Sequence, residues 1–383
     1  MEIIYVIGAS QAFFLSILAF NKNNKTDGDR ILAVWLLFIG LHLLDYYINR
    51  TGIAYEHPHL LGLGACFPLL QGPFMYVYIL VMISRNNKFR PVYLLHGIPF
   101  LAFSIWFLFD FYFLNGTEKI NYIHMQANNP SLVIILVNIF ILLLGPIYIV
   151  LSLLRLRKHH REIEDSFSYT EGINLNWLQY VLGGLGFIWF MVLLTNILVK
   201  IPVITDTFSE DIIYLTVAVS VFFLGYFGIK QKAIYNTDDN MADKKRASKM
   251  AGVEDRKMDN KDLEFKKARE AANFRELLDY FEREKPYLDN RLSLKDVAES
   301  LGIPPNQLSH IINGQAGKNF FDFVNSYRVE EFKSKASHPD YRIYTLVSIA
   351  FESGFNSKAT FNRVFRNYTG QTPSDYFHSV NRY

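Results

Sequence analysis

The chain has 383 residues, a formal net charge of +3 and a hydrophobic content of 50%, with 33 phenylalanines. That length has room for two or three domains, and so apolar a composition beside a polar C-terminal region concentrates the apolar residues elsewhere. A single cysteine, Cys66, excludes an internal disulfide and a cysteine-based zinc cluster, and reads as a small buried apolar residue in a membrane span.

Apolar runs of about twenty residues are long enough to cross a ~30 Å hydrocarbon core. They occur near Ile3 to Phe20, Ile31 to Ile48, Leu60 to Ile83, Val92 to Leu114, Leu132 to Leu154, Trp177 to Val199 and Ile212 to Ile229, which predicts seven spans within residues 1–230. Met1-Glu2 offers no positive region ahead of the first run and no clean cleavage site follows it, so that run is expected to stay in the membrane as a span. Loop charges set the orientation. With the N-terminus outside, the inner loops carry Lys22, Lys25, Arg30, Arg85, Lys88, Arg90, Arg155, Arg157, Lys158 and Arg161, against Arg50, Lys119 and Lys200 in the outer ones. The same orientation leaves the C-terminal region in the cytoplasm.

Polar groups in or near the spans include His42, Asp45, Gln71, His96, Asp110, Asn138 and Asn196. Gln71, His96, Asp110 and Asn138 are the candidates for a ligand pocket, with interhelical hydrogen bonding as the alternative. Gln71-Gly-Pro73 and Gly145-Pro146 predict kinks, whose commoner role is static packing. No acidic run suits an ion path, and no P-loop, His-Glu-x-x-His or nucleophile-elbow motif is present. His159-His160 lies in a basic loop beside the membrane, where a solvated or lipid-facing role outweighs metal binding. Neither catalysis nor a cofactor is expected.

Composition changes after Lys230. Asn236 to Asp262 is polar, mixed in charge and nearly free of large apolar residues, so residues 231–262 read as a charged flexible linker. Residues 263–383 form the last predicted domain. It opens with a helix from about Leu263 to Glu284, whose Phe274, Leu277, Leu278 and Phe281 make one stripe before Pro286.

Two helix-turn-helix patterns follow, at about 292–313 and 345–368. In the first, Ser293 caps a helix, Ala298 admits a crossing helix, Gly302 permits the turn and Pro305 suits the first turn of a second helix. That second helix turns Leu308, Ile311 and Ile312 inward and leaves Asn306, Ser309, His310 and Asn313 on the opposite face. In the second pattern, Ala350 stands to Gly354 as Ala298 to Gly302, and Ser357 caps a helix with Phe361, Val364, Phe365 and Tyr368 inward. Ala359, Asn362, Arg363 and Arg366 point away, with Lys358 near the N-terminal edge. Between the two, Phe320 to about Lys335 reads as a connector helix roughly 24 Å long, which suits two helices meant for successive major-groove faces ~34 Å apart.

The stretch Ser353-Gly-Phe-Asn-Ser-Lys-Ala-Thr-Phe-Asn-Arg-Val-Phe-Arg-Asn-Tyr-Thr-Gly-Gln-Thr-Pro-Ser-Asp-Tyr376 closely resembles the C-terminal signature of AraC/XylS-type bacterial transcription regulators, and Tyr327-Arg-Val-Glu-Glu331 is similar to that family's connector. The resemblance covers about the last hundred residues. It implies base contacts by Asn306, Ser309 and His310 and by Lys358, Ala359 and Arg363. Phe377 departs from the Arg usual there, and the first recognition helix has no Arg or Lys. The expected protein is all-α: a seven-helix transmembrane bundle joined to a tandem helix-turn-helix domain, in a bacterial inner membrane. It would couple a small-molecule or peptide signal to binding of double-stranded DNA, with homodimerisation open. The alternative is a membrane receptor whose cytoplasmic domain recruits a protein partner.

Overall fold

The computed structural model describes residues 2–84, 88–171, 173, 175–198, 206–230 and 260–380. Most of the tether read from Asn236 to Asp262, together with Arg85 and Lys200 of the loop-charge pattern, lies outside the described residues. The described chain is almost wholly helical; its β-type pairing is one isolated bridge, Phe167 to Ser293. Two compact units form, Met1–Arg157 with Leu175–Asp243, and Lys158–Asn174 with Lys244–Tyr383.

The first unit contains α1 (Glu2–Asn21), α2 (Asp27–Arg50), α3 (Pro68–Met82), α4 (Ile98–Phe107), α5 (Gly116–Asn128), the first part of α6 (Leu132–Ser166), α7 (Asn176–Leu198) and α8 (Asp206–Lys230). Among the described residues, five helical stretches are long and apolar enough to cross a membrane: Glu2–Asn21, Asp27–Arg50, Pro91–Tyr112, Leu132–Ser166 and Trp177–Leu194. Pro68–Met82 and Ile213–Gly228 are shorter apolar helices at the other two predicted positions. Small residues set how closely these helices pack. A Cβ at Gly8 would stand 2.9 Å from Cβ of Ala218, and one at Gly40 2.7 Å from the Phe13 ring. At Gly145 it would overlap the Trp189 indole, so that glycine is required for packing. Pro73 and Pro146 both lie inside helices that continue past them.

In the second unit, α9 (Asn260–Glu284) precedes α10 (Leu294–Ser300), α11 (Pro305–Ile311), α12 (Phe320–Ser337), α13 (Leu346–Glu352), α14 (Lys358–Thr369) and α15 (Pro373–Val380). Two cores lie on successive stretches of α12. Leu277 and Phe281 of α9 join Val297, Ala298, Leu308, Ile312, Phe320, Phe323 and Val324 in the first. Val329, Phe332 and Ala336 join Ile349, Ala350, Phe355, Phe361 and Phe365 in the second. The connector is therefore a shared wall, and its apolar spacing serves one core and then the other.

Candidate nucleic-acid interface

Each helix pair begins with a side-chain cap and turns through the same backbone device. Ser293 and Asp296 form a reciprocal capping box on α10, with the Asp296 amide donating to Ser293 Oγ at 3.3 Å and the Ser293 amide to Asp296 Oδ2 at 2.9 Å. At its other end the Ile303 amide donates to the Ala298 carbonyl at 3.0 Å and that of Gly302 to Glu299 at 3.3 Å. The second pair repeats this bond for bond, Phe355 to Ala350 at 3.1 Å and Gly354 to Phe351 at 3.0 Å, with Thr345 capping α13. Both are helix terminations of the Schellman type, which require a left-handed residue; Gly302 has φ +63° and Gly354 φ +93°.

From the first turn, α11 sends Leu308 and Ile311 inward and leaves Asn306 and His310 exposed and Ser309 half-buried. His310 Nδ1 lies 3.8 Å from Glu270 of α9. After Ile311 the backbone widens into a π turn over Ile312–Ala316, which carries exposed Asn313 beyond the regular helix; its side-chain Nδ2 lies 3.5 Å from Ser309 Oγ. From the second turn, Ser357 Oγ accepts from the Thr360 amide and starts α14. Phe361 and Phe365 are buried, whereas Lys358, Ala359, Asn362, Arg363 and Arg366 are exposed and Ser357 is half-buried at the cap. Arg363 lays its guanidinium over the Phe321 ring, 5.5 Å from the centroid. Tyr368, expected inward, is 46% exposed because it lies in the last turn of α14, beyond Phe365, where the buried core of that helix ends; the ammonium groups of Lys318 and Lys333 sit over its ring instead.

Residues 297–379 match the family model described as a helix-turn-helix domain. The C-terminal domain is a helix-turn-helix domain of the AraC type. An uncharacterized HTH-type transcriptional regulator of Staphylococcus aureus (strain COL) is 35% identical over 85 residues, 22% of this chain and 11% of the relative. The uncharacterized HTH-type transcriptional regulator YijO of Escherichia coli (strain K12) is 31% identical over 100 residues, 25% of this chain and 34% of the relative. The matched stretch thus spans about a tenth to a third of these relatives. No solved structure matches the chain significantly.

The Thr-Gly-Gln-Thr-Pro run of the AraC-type domain is a helix end followed by a helix start. Gly370, at φ +76°, ends α14 with its amide on Arg366, and Thr372 Oγ1 accepts from the Asp375 amide ahead of Pro373 in the first turn of α15. Asn362, Arg363 and Arg366 face Thr372, Pro373 and Ser374 across an open groove. Phe377, at the family's usual Arg position, packs against the second core, which replaces a charge by apolar contact.

Sequence reasoning missed Arg328. Only 1% exposed, it uses all five N–H donors: Nε to the Tyr287 carbonyl at 2.8 Å, Nη1 to the Ser168 carbonyl at 2.9 Å and Asn325 Oδ1 at 3.2 Å, Nη2 to Ser168 Oγ at 3.0 Å and the Asp289 carbonyl at 2.6 Å. Burial pushes its pKa down to about 10, opposed by the carboxylates of Asp289 and Glu171, so it stays a cation at neutral pH. Beside it, Glu331 accepts from Lys285 Nζ at 3.1 Å and Tyr287 Oη at 3.2 Å. Burial opposes ionisation of Glu331, but the Lys285 hydrogen bond and charge, with Lys335 and Tyr287, outweigh it and hold the carboxyl below its ordinary range. An Arg in Tyr-Arg-Val-Glu-Glu was visible, but not the carbonyls waiting for it.

Three of the four pocket candidates of the first unit take different partners. Gln71 Oε1 accepts from Trp35 Nε1 at 2.9 Å, His96 Nδ1 meets Tyr148 Oη at 2.9 Å, and Asp110 Oδ2 accepts from Tyr122 Oη at 2.5 Å. Asp110 and Asn138 are exposed.

Proposed function

We propose that this chain is a membrane-bound, sequence-specific DNA-binding transcription regulator, in which the apolar unit senses a signal and the AraC-type domain reads promoter DNA. The observation that carries it is the pair of identical Schellman turns on one connector, each delivering a helix with a polar, exposed face. Two such faces on a fixed wall suit two successive major-groove segments of one duplex. Asn306, Ser309, His310 and Asn313 belong to the first face, and Ser357, Lys358, Ala359, Asn362, Arg363 and Arg366 to the second. The cations all lie on the second, which therefore supplies most of the affinity.

Membrane residence rests on the apolar helices. Along α6, Leu136, Ile139, Phe140, Leu143, Ile147, Val150 and Leu154 are all exposed, a surface that suits lipid tails. Positive charges on alternate loops support an orientation with the N-terminus outside and the DNA-reading domain in the cytoplasm. Gln71 and His96, half-buried among aromatic partners, are the best placed of the pocket residues for a small-molecule or peptide signal. Residues 1–230 then act as sensor, 231–262 as linker and 263–383 as reader, alone or in a homodimer.

Genome-wide crosslinking of the tagged full-length chain, beside an Arg363→Ala variant, tests this reading. Discrete promoter fragments lost in the variant are expected. A protein inserted in the membrane that enriches no fragment, and instead retains a protein partner through this face, would reject it.

A further inference from the structure

We infer that Phe167–Glu171 is an autoinhibitory strap on the DNA-reading domain, releasable from that domain by movement of α6. This rests on the DNA-binding reading above. The segment lies in sequence between two apolar helices, yet it belongs to the compact unit of the AraC-type domain. Ser168 is fully buried there. Its amide and hydroxyl both donate to the Leu292 carbonyl, at 3.1 and 2.7 Å, and its own carbonyl accepts from Arg328 and from Asn325 Nδ2 at 3.2 Å. Phe167 pairs with Ser293, the cap of the first helix-turn-helix. Glu171 accepts a hydrogen bond from the Thr360 hydroxyl, in the first turn of the second recognition helix.

One short segment therefore touches the start of the first unit, the connector between them and the reading helix of the second. Such a contact fixes the angle between the two recognition helices, which must match the duplex for both to seat. It also brings a carboxylate to a helix N-terminus, the end that draws phosphate oxygens, so its charge opposes an approaching DNA backbone. Both effects favour the DNA-free state. Release has a direct route, because α6 is one continuous helix from Leu132 to Ser166 and ends two residues before Ser168. A shift or rotation of that helix pulls on Ser168 without help from residues 231–262.

The test uses the full chain in lipid nanodiscs, with Glu171→Gln to remove the charge and Ser168→Pro to remove the amide and hydroxyl together. Hydrogen exchange of the 165–171 segment reports docking, and exchange in α12 reports whether the domain stays folded. Binding is read against the duplex most enriched by crosslinking. Expected are a protected Ser168 amide in the parent, about tenfold tighter binding in both variants, and loss of protection when the parent is saturated with DNA. An unprotected Ser168 amide in the free parent would overturn the inference. So would variants that bind no tighter than the parent, which would leave a merely structural contact. If parent and variants bound no duplex while Ser168 stayed protected, the DNA reading itself would fall and the inference with it.

Discussion

Arg328 donates to both the carbonyl and the hydroxyl oxygen of Ser168, 160 residues earlier in the chain, and to the carbonyls of Tyr287 and Asp289 on the approach to the first helix-turn-helix. A buried cation whose five donors go to carbonyl and hydroxyl oxygens is held by oriented dipoles, so its fork geometry matters as much as its charge. Arg328→Lys keeps the charge but cannot meet carbonyls on several sides. It should cost the domain about 2–4 kcal/mol, the range for leaving buried polar groups unpaired. Hydrogen exchange in α12 of the full chain measures this; an unchanged opening free energy would show that the carbonyls find other donors.

The two turn glycines share a backbone conformation but differ in surroundings. At Gly302 a Cβ would meet nothing within 4 Å, whereas at Gly354 it would collide with the Tyr287 carbonyl and stand 3.0 Å from Arg328 Nε. Gly302→Ala should therefore cost about 1–2 kcal/mol, the left-handed strain alone. Gly354→Ala should cost clearly more, because it also displaces the carbonyl that Arg328 holds. Paired measurements of domain stability check the ordering, and equal losses would contradict it.

These contrasts show what the sequence could and could not reveal. Ala298 with Gly302 and Ala350 with Gly354 advertised both turns, since a Schellman end needs its glycine at a fixed offset from its last helical residues. Ser357 and Pro305 advertised helix starts for equally local reasons, and the inward faces of α11 and α14 followed from period alone. Asn313 is exposed as the wheel predicts although a π turn carries it, whereas Tyr368 is exposed because it lies beyond Phe365, the last residue that α14 gives to the second core. Ser168 gave no signal at all. Its partners lie in Leu292, Asn325 and Arg328, and a contact closed over so long a stretch leaves no periodicity to read.

Glu331 makes domain stability depend on pH. Its folded carboxyl titrates below its ordinary range, so its contribution is fully present above that range and is lost as pH falls through the folded value. Removing the charge with Glu331→Gln should cost about 1 kcal/mol at neutral pH, the scale of a half-exposed ion pair, and nearly nothing once the parent carboxyl is protonated. Stability curves from pH 7 to pH 3 should converge at the acid end. Curves that stay parallel would mean that Lys285 and Tyr287 contribute through packing instead.

Arg363 and Arg366 line one groove but should fail differently when removed. Arg363 is braced over Phe321, which restricts its guanidinium and suits a directional contact to a base edge. Arg363→Ala should weaken specific binding by about 1–3 kcal/mol, the worth of a good bidentate base contact, and relax sequence preference at one position. Arg366, one turn further along the exposed face and in the last turn of α14, is suited to phosphate. Arg366→Ala should weaken all duplexes alike and reduce the slope of log affinity against log salt by about 1. Titrations of both variants at several salt concentrations, on the preferred duplex and on a scrambled one, separate the two roles. A salt slope unchanged by Arg366→Ala would remove Arg366 from the phosphate footprint, and an unchanged preference in Arg363→Ala would move the base reading elsewhere on α14.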